Sequence, residues 1–229
     1  VLAADPVSAR DIAADLEEFG MTGVVSYPED EILPYDYHDP DRNLTGLQML
    51  ALERMAEGEC RVLVSTPRAI LKKVFPPPLF RALLFDLAVG GREDPQAAAE
   101  KLVRLGYERH GTVESKGQFA IRGAILDIFE VASEDPVRVE FDSDEIATIR
   151  RFDIETQRSI GNLERIRIRP LHHLAPDAEG MKRLRAFLAE GAGDGEELKR
   201  RMLAADRMEE GILFYGMEHY ASVVHDVVP

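Results

Sequence analysis

The sequence contains a single cysteine, Cys60, and no long apolar run. One cysteine excludes an internal disulfide and any metal site built from several thiolates, and it fits a reducing cytoplasm. A membrane-spanning helix needs about 18–20 consecutive apolar residues, and no stretch of the chain approaches that length. We therefore expect a cytoplasmic protein with no membrane contact, in which Cys60 is a small side chain at the start of a strand rather than a nucleophile.

Positive charge is also scarce. The chain has 28 Lys and Arg residues against 42 Asp and Glu residues, which gives a net charge of −14. This balance argues against a free-standing nucleic-acid binder, because neutralising phosphates requires clustered Lys and Arg. Residues 95–170 contain 12 basic and 14 acidic side chains, so the middle of the chain is nearly neutral and its flanks are acidic.

Glycine-rich phosphate loops are absent from the sequence. Neither G-x-x-x-x-G-K-[ST] nor G-x-G-x-x-G occurs, and the loops at residues 4–6 and 65–67 contain proline without glycine. Such loops cannot wrap backbone N–H groups around phosphates. Asp144-Glu145 is typical of a hairpin turn rather than a Mg²⁺ site, and the adjacent His172 and His173 lack a carboxylate at ligand spacing. We predict no catalytic, cofactor-binding or metal-binding residue in this chain.

Strand and helix patterns alternate over the first ninety or so residues, which predicts an α/β domain over residues 1–92 with a largely parallel sheet. Asp5-Pro6 and Thr66-Pro67 each combine a capping side chain with a proline at the first helical position. We expect the first helix to bury Ile12, Leu16 and Phe19. Val1 begins directly on a strand-like stretch, so we expect upstream residues to be missing.

A second pattern begins near residue 93. One helix is followed by short strand-like runs separated by turn residues, which predicts an α+β domain with an antiparallel sheet over residues 93–170. The predicted strands are residues 119–121, 125–129, 137–141, 146–152 and 163–168. Residues 171–229 return to helical spacing, and we interpret them as a segment that rejoins the first domain.

Arginines occur at intervals in the predicted strands. Because side chains alternate faces along a strand, Arg122 lies opposite Phe119 and Ile121, and Arg138 shares a face with Glu140. One interpretation is an ordinary charged, solvated sheet face. The other is a recognition patch, because arginine is weakly hydrated and holds a carboxylate through two hydrogen bonds. The residues alone leave both interpretations open.

Several motifs then occur in a familiar order. Residues 117–129 (GQFAIRGAILDIF), 137–141 (VRVEF) and 144–146 (DEI) resemble the second domain of the excision-repair protein UvrB. Residues 152–159 (FDIETQRS) resemble bacterial transcription-repair coupling factors (Mfd) and not UvrB itself. Residues 33–36 and 62–71 are also similar to coupling factors, so the resemblance covers essentially the whole chain.

The resemblance implies a fold and a partner. The fold is α/β: a degenerate RecA- or helicase-like parallel sheet layer without a phosphate loop, with an inserted α+β antiparallel-sheet domain that resembles UvrB domain 2. In this family that domain recruits UvrA. Carried over by position, the implied UvrA-binding residues are Arg122, Arg138, Glu140, Phe141 and Asp142. The family usually has a second aromatic where Asp142 stands, so we expect a weaker apolar contribution to this contact.

The remaining implications concern parts outside the chain. The resemblance implies that the full-length protein is an ATP-hydrolysing DNA translocase that removes stalled RNA polymerase. ATP and Mg²⁺ are then implied as cofactors, and RNA polymerase and DNA as partners, of missing downstream domains. A carboxy-terminal domain is implied to cover the UvrA surface at rest. The alternative is a fragment of UvrB, the ATP-dependent damage-loading subunit of the excision nuclease.

Overall fold

The computed structural model describes residues 1–30, 41–174, 178–190, 195–209 and 220–225. In chain order its elements are α1 (Pro6–Glu18), β1 (Val24–Tyr27), α2 (Arg42–Ala56), β2 (Val62–Ser65), α3 (Pro67–Ile70), α4 (Pro77–Leu83), β3 (Phe85–Ala88), α5 (Pro95–Arg104), β4 (Glu108–Arg109), β5 (Gln118–Arg122), β6 (Ile125–Ile128), β7 (Val137–Asp142), β8 (Glu145–Phe152), β9 (Ser159–Leu163), β10 (Arg165–Ile168), α6 (Ala178–Ala189), α7 (Gly195–Glu209) and α8 (Ala221–Val224). The coupling-factor motif at residues 33–36 lies outside the described residues.

The chain divides into two compact units. The first is drawn from residues 1–40, 57–77 and 173–229, and the second from residues 41–56 and 78–172. Residues 41–56 and 78–92, which the sequence analysis assigned to the first domain, therefore group with the second unit. Both parallel and antiparallel pairing are present, so the fold is mixed α/β.

Parallel pairing in the first unit joins β1 to β2, from Val24 opposite Val62 to Tyr27 opposite Ser65. Residues 1–4, predicted to be a strand, contribute a single parallel bridge between Leu2 and Ser65. The layer is thus smaller among the described residues than a complete RecA-like sheet. That finer identity stays a prediction.

Helix α1 begins as the sequence predicts. Pro6 is its first residue, and the Asp5 side chain accepts a hydrogen bond from the Ser8 backbone N–H at 2.9 Å. This bond satisfies one of the N–H groups that a helix start leaves unpaired, and it lowers the pKa of the Asp5 carboxyl.

The buried side of α1 is formed by small residues. Ala9 and Ala13 pack in a cluster with Val24 and Val64, while Ile12 and Leu16 are only partly buried beside it. The prediction that Phe19 is buried is wrong, since its side chain is 89% exposed. The helix ends at Glu18, so Phe19 lies beyond the last turn that faces the sheet.

The carboxy-terminal helices of the first unit share a separate core. α6 packs against α7 and α8. The buried residues of this core are Leu174, Met181, Leu184, Leu188, Ala205, Met208, Ala221 and Val224. Among the described residues, no helix combines the length and apolar composition that crossing a bilayer requires.

The second unit contains the large sheet, with strand order β4-β5-β6-β7-β8-β9. All neighbours are antiparallel except β4 and β5, so the predicted antiparallel meander is confirmed from β5 to β9. One predicted strand is wrong in extent: residues 163–168 are divided, because Leu163 ends β9 while β10 pairs with β3.

One face of the large sheet is apolar and packs against α5. Its fully buried side chains include Phe119, Leu126, Ile128, Val137, Val139 and Ile149. The facing side of α5 supplies Ala98, Ala99 and Leu102. Each of these sheet residues lies on a strand at the parity that the sequence predicts for the core. The opposite face carries charged side chains, although Ala120 on that face is buried in a small apolar cluster with Val113 and Phe129.

Buried charges attach α2 to the second unit. The Glu53 carboxylate accepts a hydrogen bond from Nη1 of Arg167 at 2.8 Å and another from Nε of Arg169. Arg167 also bonds Asp86, and Arg169 lies 3.3 Å from the buried Glu130 carboxylate. Burial raises the pKa of Glu130, and Arg169 opposes that rise. The five charges alternate in sign, so each carboxylate has a cation beside it.

A close backbone approach accompanies these ion pairs. Gly46 of α2 faces the backbone of Val131, and a Cβ added there would lie 2.3 Å from the Val131 carbonyl oxygen. Nearby, Nη2 of Arg42 donates to the Glu108 carboxylate at 2.6 Å. A side chain at position 46 would push the helix away from the contacts that hold it.

We expect Gly46→Ala to lower the free energy of unfolding by about 1–3 kcal/mol, because rigid backbone atoms must move to admit the methyl group. Gly195→Ala is the matched control, since a Cβ at Gly195 meets no atom of the described part of the chain within 4 Å. That variant should be neutral or up to about 1 kcal/mol more stable. Urea unfolding followed by circular dichroism measures both, and equal stability of Gly46→Ala and wild type would contradict the close approach.

Candidate partner-binding surface on the large sheet

The strand register aligns two rows of side chains on the face of the large sheet opposite α5. The first row is Ala120, Asp127, Arg138, Arg150 and Asn162, and the second is Arg122, Ile125, Glu140 and Thr148. We call these nine residues the polar face. Five of them are charged, although they belong to four neighbouring strands and are separated by up to 28 positions in the sequence.

A buried carboxylate lies at the centre of the polar face. Asp127 is only 1% exposed. Its Oδ1 accepts a hydrogen bond from Nε of Arg138 at 2.7 Å, and its Oδ2 accepts one from Nη2 of each of Arg138 and Arg122 at 2.8 Å. An isolated carboxylate at this depth is very unfavourable, so two guanidinium groups compensate it.

Arg138 is the more constrained of the two arginines. Its side chain is 21% exposed, its guanidinium lies 4.7 Å from the centre of the Phe152 ring, and it also donates to Oε1 of Gln157 at 3.3 Å. The hydrogen bond to Asp127 raises the pKa of Arg138. Bidentate pairing and contact with an aromatic face together fix the orientation of this guanidinium.

Among the described residues, Arg122 is anchored at one point. Its Nη2 donates to Asp127, and its side chain is 53% exposed. A guanidinium has five N–H donors, so most of those on Arg122 remain available to a binding partner. Of the two arginines predicted to form a patch, Arg122 is the accessible one and Arg138 is the supporting one.

The other predicted contact residues differ in position. Glu140 accepts hydrogen bonds from Oγ1 of Thr148 at 3.1 Å and from Nη2 of Arg150. Asp142 is exposed at the end of β7. Phe141 is 7% exposed and points to the opposite face, with Val139, because side chains alternate along β7. The register with β8 is irregular between Glu140 and Phe141, and the contribution of the buried Phe141 to a partner contact stays a prediction.

Two charged members of the polar face, Asp127 and Arg150, had no role predicted from the sequence. Asp127 had a detectable signal, since it is the one acidic residue within the otherwise apolar strand β6. A charged residue between buried neighbours needs a partner from another strand. Arg150 had no such signal, because an arginine followed by a second arginine at the end of a strand is typical of a solvated edge.

The structure also locates the rejected candidates for catalysis. Asp142 and Glu145 pair across the β7–β8 hairpin, with Ser143 at φ 59°, so the predicted turn at Asp144 is confirmed. Asp144 is exposed and lies 3.4 Å from Arg92. Within the described ranges, no group of three or more His, Cys, Asp or Glu side chains is arranged to hold a metal ion.

Known proteins match the same region. Residues 85–174 match the family model of the UvrB interaction domain, a range that includes the whole polar face. Over 227 aligned residues the chain is 35% identical to the transcription-repair-coupling factor of Myxococcus xanthus, with 95% of this chain and 19% of that protein covered. The corresponding protein of Bacillus subtilis strain 168 is 32% identical, with 86% of this chain and 16% of the relative covered.

A more distant relative extends the comparison. The transcription-repair-coupling factor of Escherichia coli K12 is 27% identical, with 81% of this chain and 16% of the relative covered. The chain thus spans 16–19% of the length of these three relatives.

The different anchoring of the two arginines predicts different effects on folding. Arg138→Ala leaves the buried Asp127 with a single hydrogen bond, so we expect it to lower the free energy of unfolding by about 2–4 kcal/mol. Arg122→Ala removes a half-exposed group and should cost less than about 1 kcal/mol. Urea unfolding of the two variants and wild type provides the comparison, and equal losses would contradict the described asymmetry.

Proposed function

Because residues 85–174 belong to the UvrB interaction domain family and nearly the whole chain aligns with transcription-repair coupling factors, we propose that this chain is the UvrA-recruiting module of such a factor. The observation that carries the proposal is the exposed Arg122 guanidinium held on the buried Asp127 carboxylate. A cation presented in this way suits an acidic surface on a partner protein.

Rigidity supports the proposed binding role. The polar face lies on paired strands, and Arg138 is held by Asp127, Gln157 and the Phe152 ring. Side chains that are already ordered lose little conformational freedom on association, so more of the contact free energy appears as affinity. Asp142 is exposed at the end of β7, and we propose that its charge restricts which arrangements of charge the partner can carry.

The wider role follows from the relatives' names. We propose that the complete protein couples RNA polymerase stalled on damaged DNA to excision repair in the cytoplasm, and that ATP-driven, Mg²⁺-dependent translocation on DNA belongs to domains beyond this chain. An intramolecular carboxy-terminal domain that covers the polar face at rest is part of the same proposal. The chain itself acts by binding, and we assign it no enzymatic activity.

The parallel layer fits this proposal as a structural remnant. We infer that β1 and β2 derive from a RecA-like sheet, and neither Ala4 to Pro6 nor Ser65 to Pro67 supplies the glycine that a phosphate loop needs. The alternative, a UvrB fragment, is not favoured because the relatives that match most of the chain are coupling factors. Binding of ATP to this chain in a thermal-shift assay would count for the alternative.

Substitution of Arg122 tests the proposed function. Titration of purified UvrA with the Arg122→Ala chain should show affinity at least tenfold lower than wild type, the loss expected on truncating an interfacial arginine. Arg104→Ala is the matched control, because Arg104 is exposed on α5, which packs on the other face of the sheet. We expect that variant to bind like wild type.

Two results would contradict the proposal. One is the absence of any UvrA binding by the folded wild-type chain at micromolar concentrations. The other is an equal effect of Arg122→Ala and Arg104→Ala, since that would mean that general charge, and not the polar face, determines binding. Circular dichroism of each variant confirms that the fold is intact before the titration.

A further inference from the structure

Arg150 occupies an unusual position on the polar face. It lies on β8 directly opposite Arg138 on β7. Two like charges in a cross-strand pair are destabilising, and a pair of uncharged residues would make the sheet more stable. The pair therefore needs compensation, and the structure shows where it comes from: Asp127 holds Arg138, and Glu140 holds Arg150.

Compensation of Arg150 is incomplete. Its Nη2 donates to Glu140, while its Nε is buried and has no hydrogen-bond partner among the described residues. The side chain as a whole is 34% exposed. A buried donor without an acceptor is unfavourable, so the fold keeps Arg150 in an arrangement that does not satisfy it. A partner cannot reach the buried Nε, but the exposed part of the guanidinium has further N–H donors that can bind an acceptor brought by a partner.

Glu140, unlike Arg150, has hydrogen-bond partners for both of its side-chain oxygens. Both of its oxygens are already engaged, Oε1 by Arg150 and Oε2 by Oγ1 of Thr148 at 3.1 Å. Arg150 and Thr148 lie on β8, so Glu140 forms a bridge between β7 and β8. A carboxylate held in this way orients its neighbour's guanidinium, as Asp127 does for Arg138.

We propose that Arg150 is a third partner-binding arginine and that Glu140 positions it instead of contacting the partner. This inference rests on the proposed function and extends it to the chemistry of the partner. Neighbouring strands are about 4.8 Å apart, so three arginines on β5, β7 and β8 span roughly 14 Å. The matching surface of the partner carries several carboxylates over that distance.

Charge on the polar face agrees with an acidic partner. Arg122, Arg138 and Arg150 outnumber Asp127 and Glu140, so the face is net positive, whereas the whole chain carries −14. An acidic protein would be repelled by most of this molecule and attracted at this place. Electrostatic complementarity of this kind selects orientation as well as partner.

Titration of UvrA with the Arg150→Ala chain tests the first half of the inference. We expect about tenfold weaker binding than wild type, and partial recovery in Arg150→Lys, because an ammonium restores the charge but not the forked hydrogen bonds. Arg151→Ala is the matched control: Arg151 is the next residue on β8, lies on the other face and pairs at 3.7 Å with Asp135. Its binding should equal that of wild type.

A double-mutant cycle tests the role of Glu140. If Glu140 acts through Arg150, Glu140→Gln weakens binding in the wild-type background and has no further effect in the Arg150→Ala background. Losses that simply add would show that Glu140 contacts the partner independently and would overturn the positioning role. Unfolding midpoints in urea verify that all four proteins are folded.

Failure of this inference and failure of the proposed function give different results. Wild-type binding that is lost in Arg122→Ala but unchanged in Arg150→Ala overturns only the role of Arg150. Absence of wild-type binding overturns both. If Arg150→Ala does not fold, Arg150→Lys replaces it in the titration, and binding equal to wild type by that variant, with an unchanged salt dependence, would contradict forked recognition by Arg150.

Discussion

A carboxylate buried in the middle of a sheet determines the character of the surface around it. Asp127 on β6 is 1% exposed, so its charge must be met by cations from adjacent strands. The register places Arg138 directly opposite and Arg122 diagonally across, and both donate to it. Arg138 is therefore required by the fold, while Arg122 completes the compensation and keeps most of its donors available for recognition. In this domain a stabilising interaction and a candidate binding surface share the same atoms.

Buried carboxylates elsewhere in the second unit are also paired with arginines that are distant in the sequence. Glu53 of α2 bonds Arg167, 114 residues later, and Arg169, 116 residues later. These bonds and the close approach at Gly46 explain why α2 groups with the second unit, although a strand–helix alternation read along the chain assigns it to the first. Burial makes such pairing necessary, since a carboxylate removed from water is unfavourable unless a cation or hydrogen-bond donors compensate it.

The sequence predicted correctly those elements that depend mainly on residues close together along the chain. The Asp5-Pro6 start of α1, strand β1, the β7–β8 hairpin and the faces of Arg122 and Arg138 followed from capping, alternation and turn chemistry. The exposure of Phe19, the division of residues 163–168 between two sheets and the role of Asp127 did not, because each depends on which segment arrives opposite. Phe141 shows the boundary clearly: strand parity already placed it with Val139, and only the resemblance to the family suggested a surface role.

In the proposed function, anchored arginines would let an acidic module recognise an acidic partner. A free lysine on such a surface would be attracted to the nearest of many carboxylates of its own chain, whereas Arg122 is already held by Asp127 and directs its remaining donors outward. The internal carboxylates neutralise part of the cationic charge, so attraction at long range is modest and the match of hydrogen-bond geometry contributes more to selectivity. Arg150 and Glu140 repeat this arrangement one strand further along. Two carboxylate-anchored groups at fixed spacing on one rigid sheet favour a partner whose acceptors have the same spacing over one that merely has more negative charge.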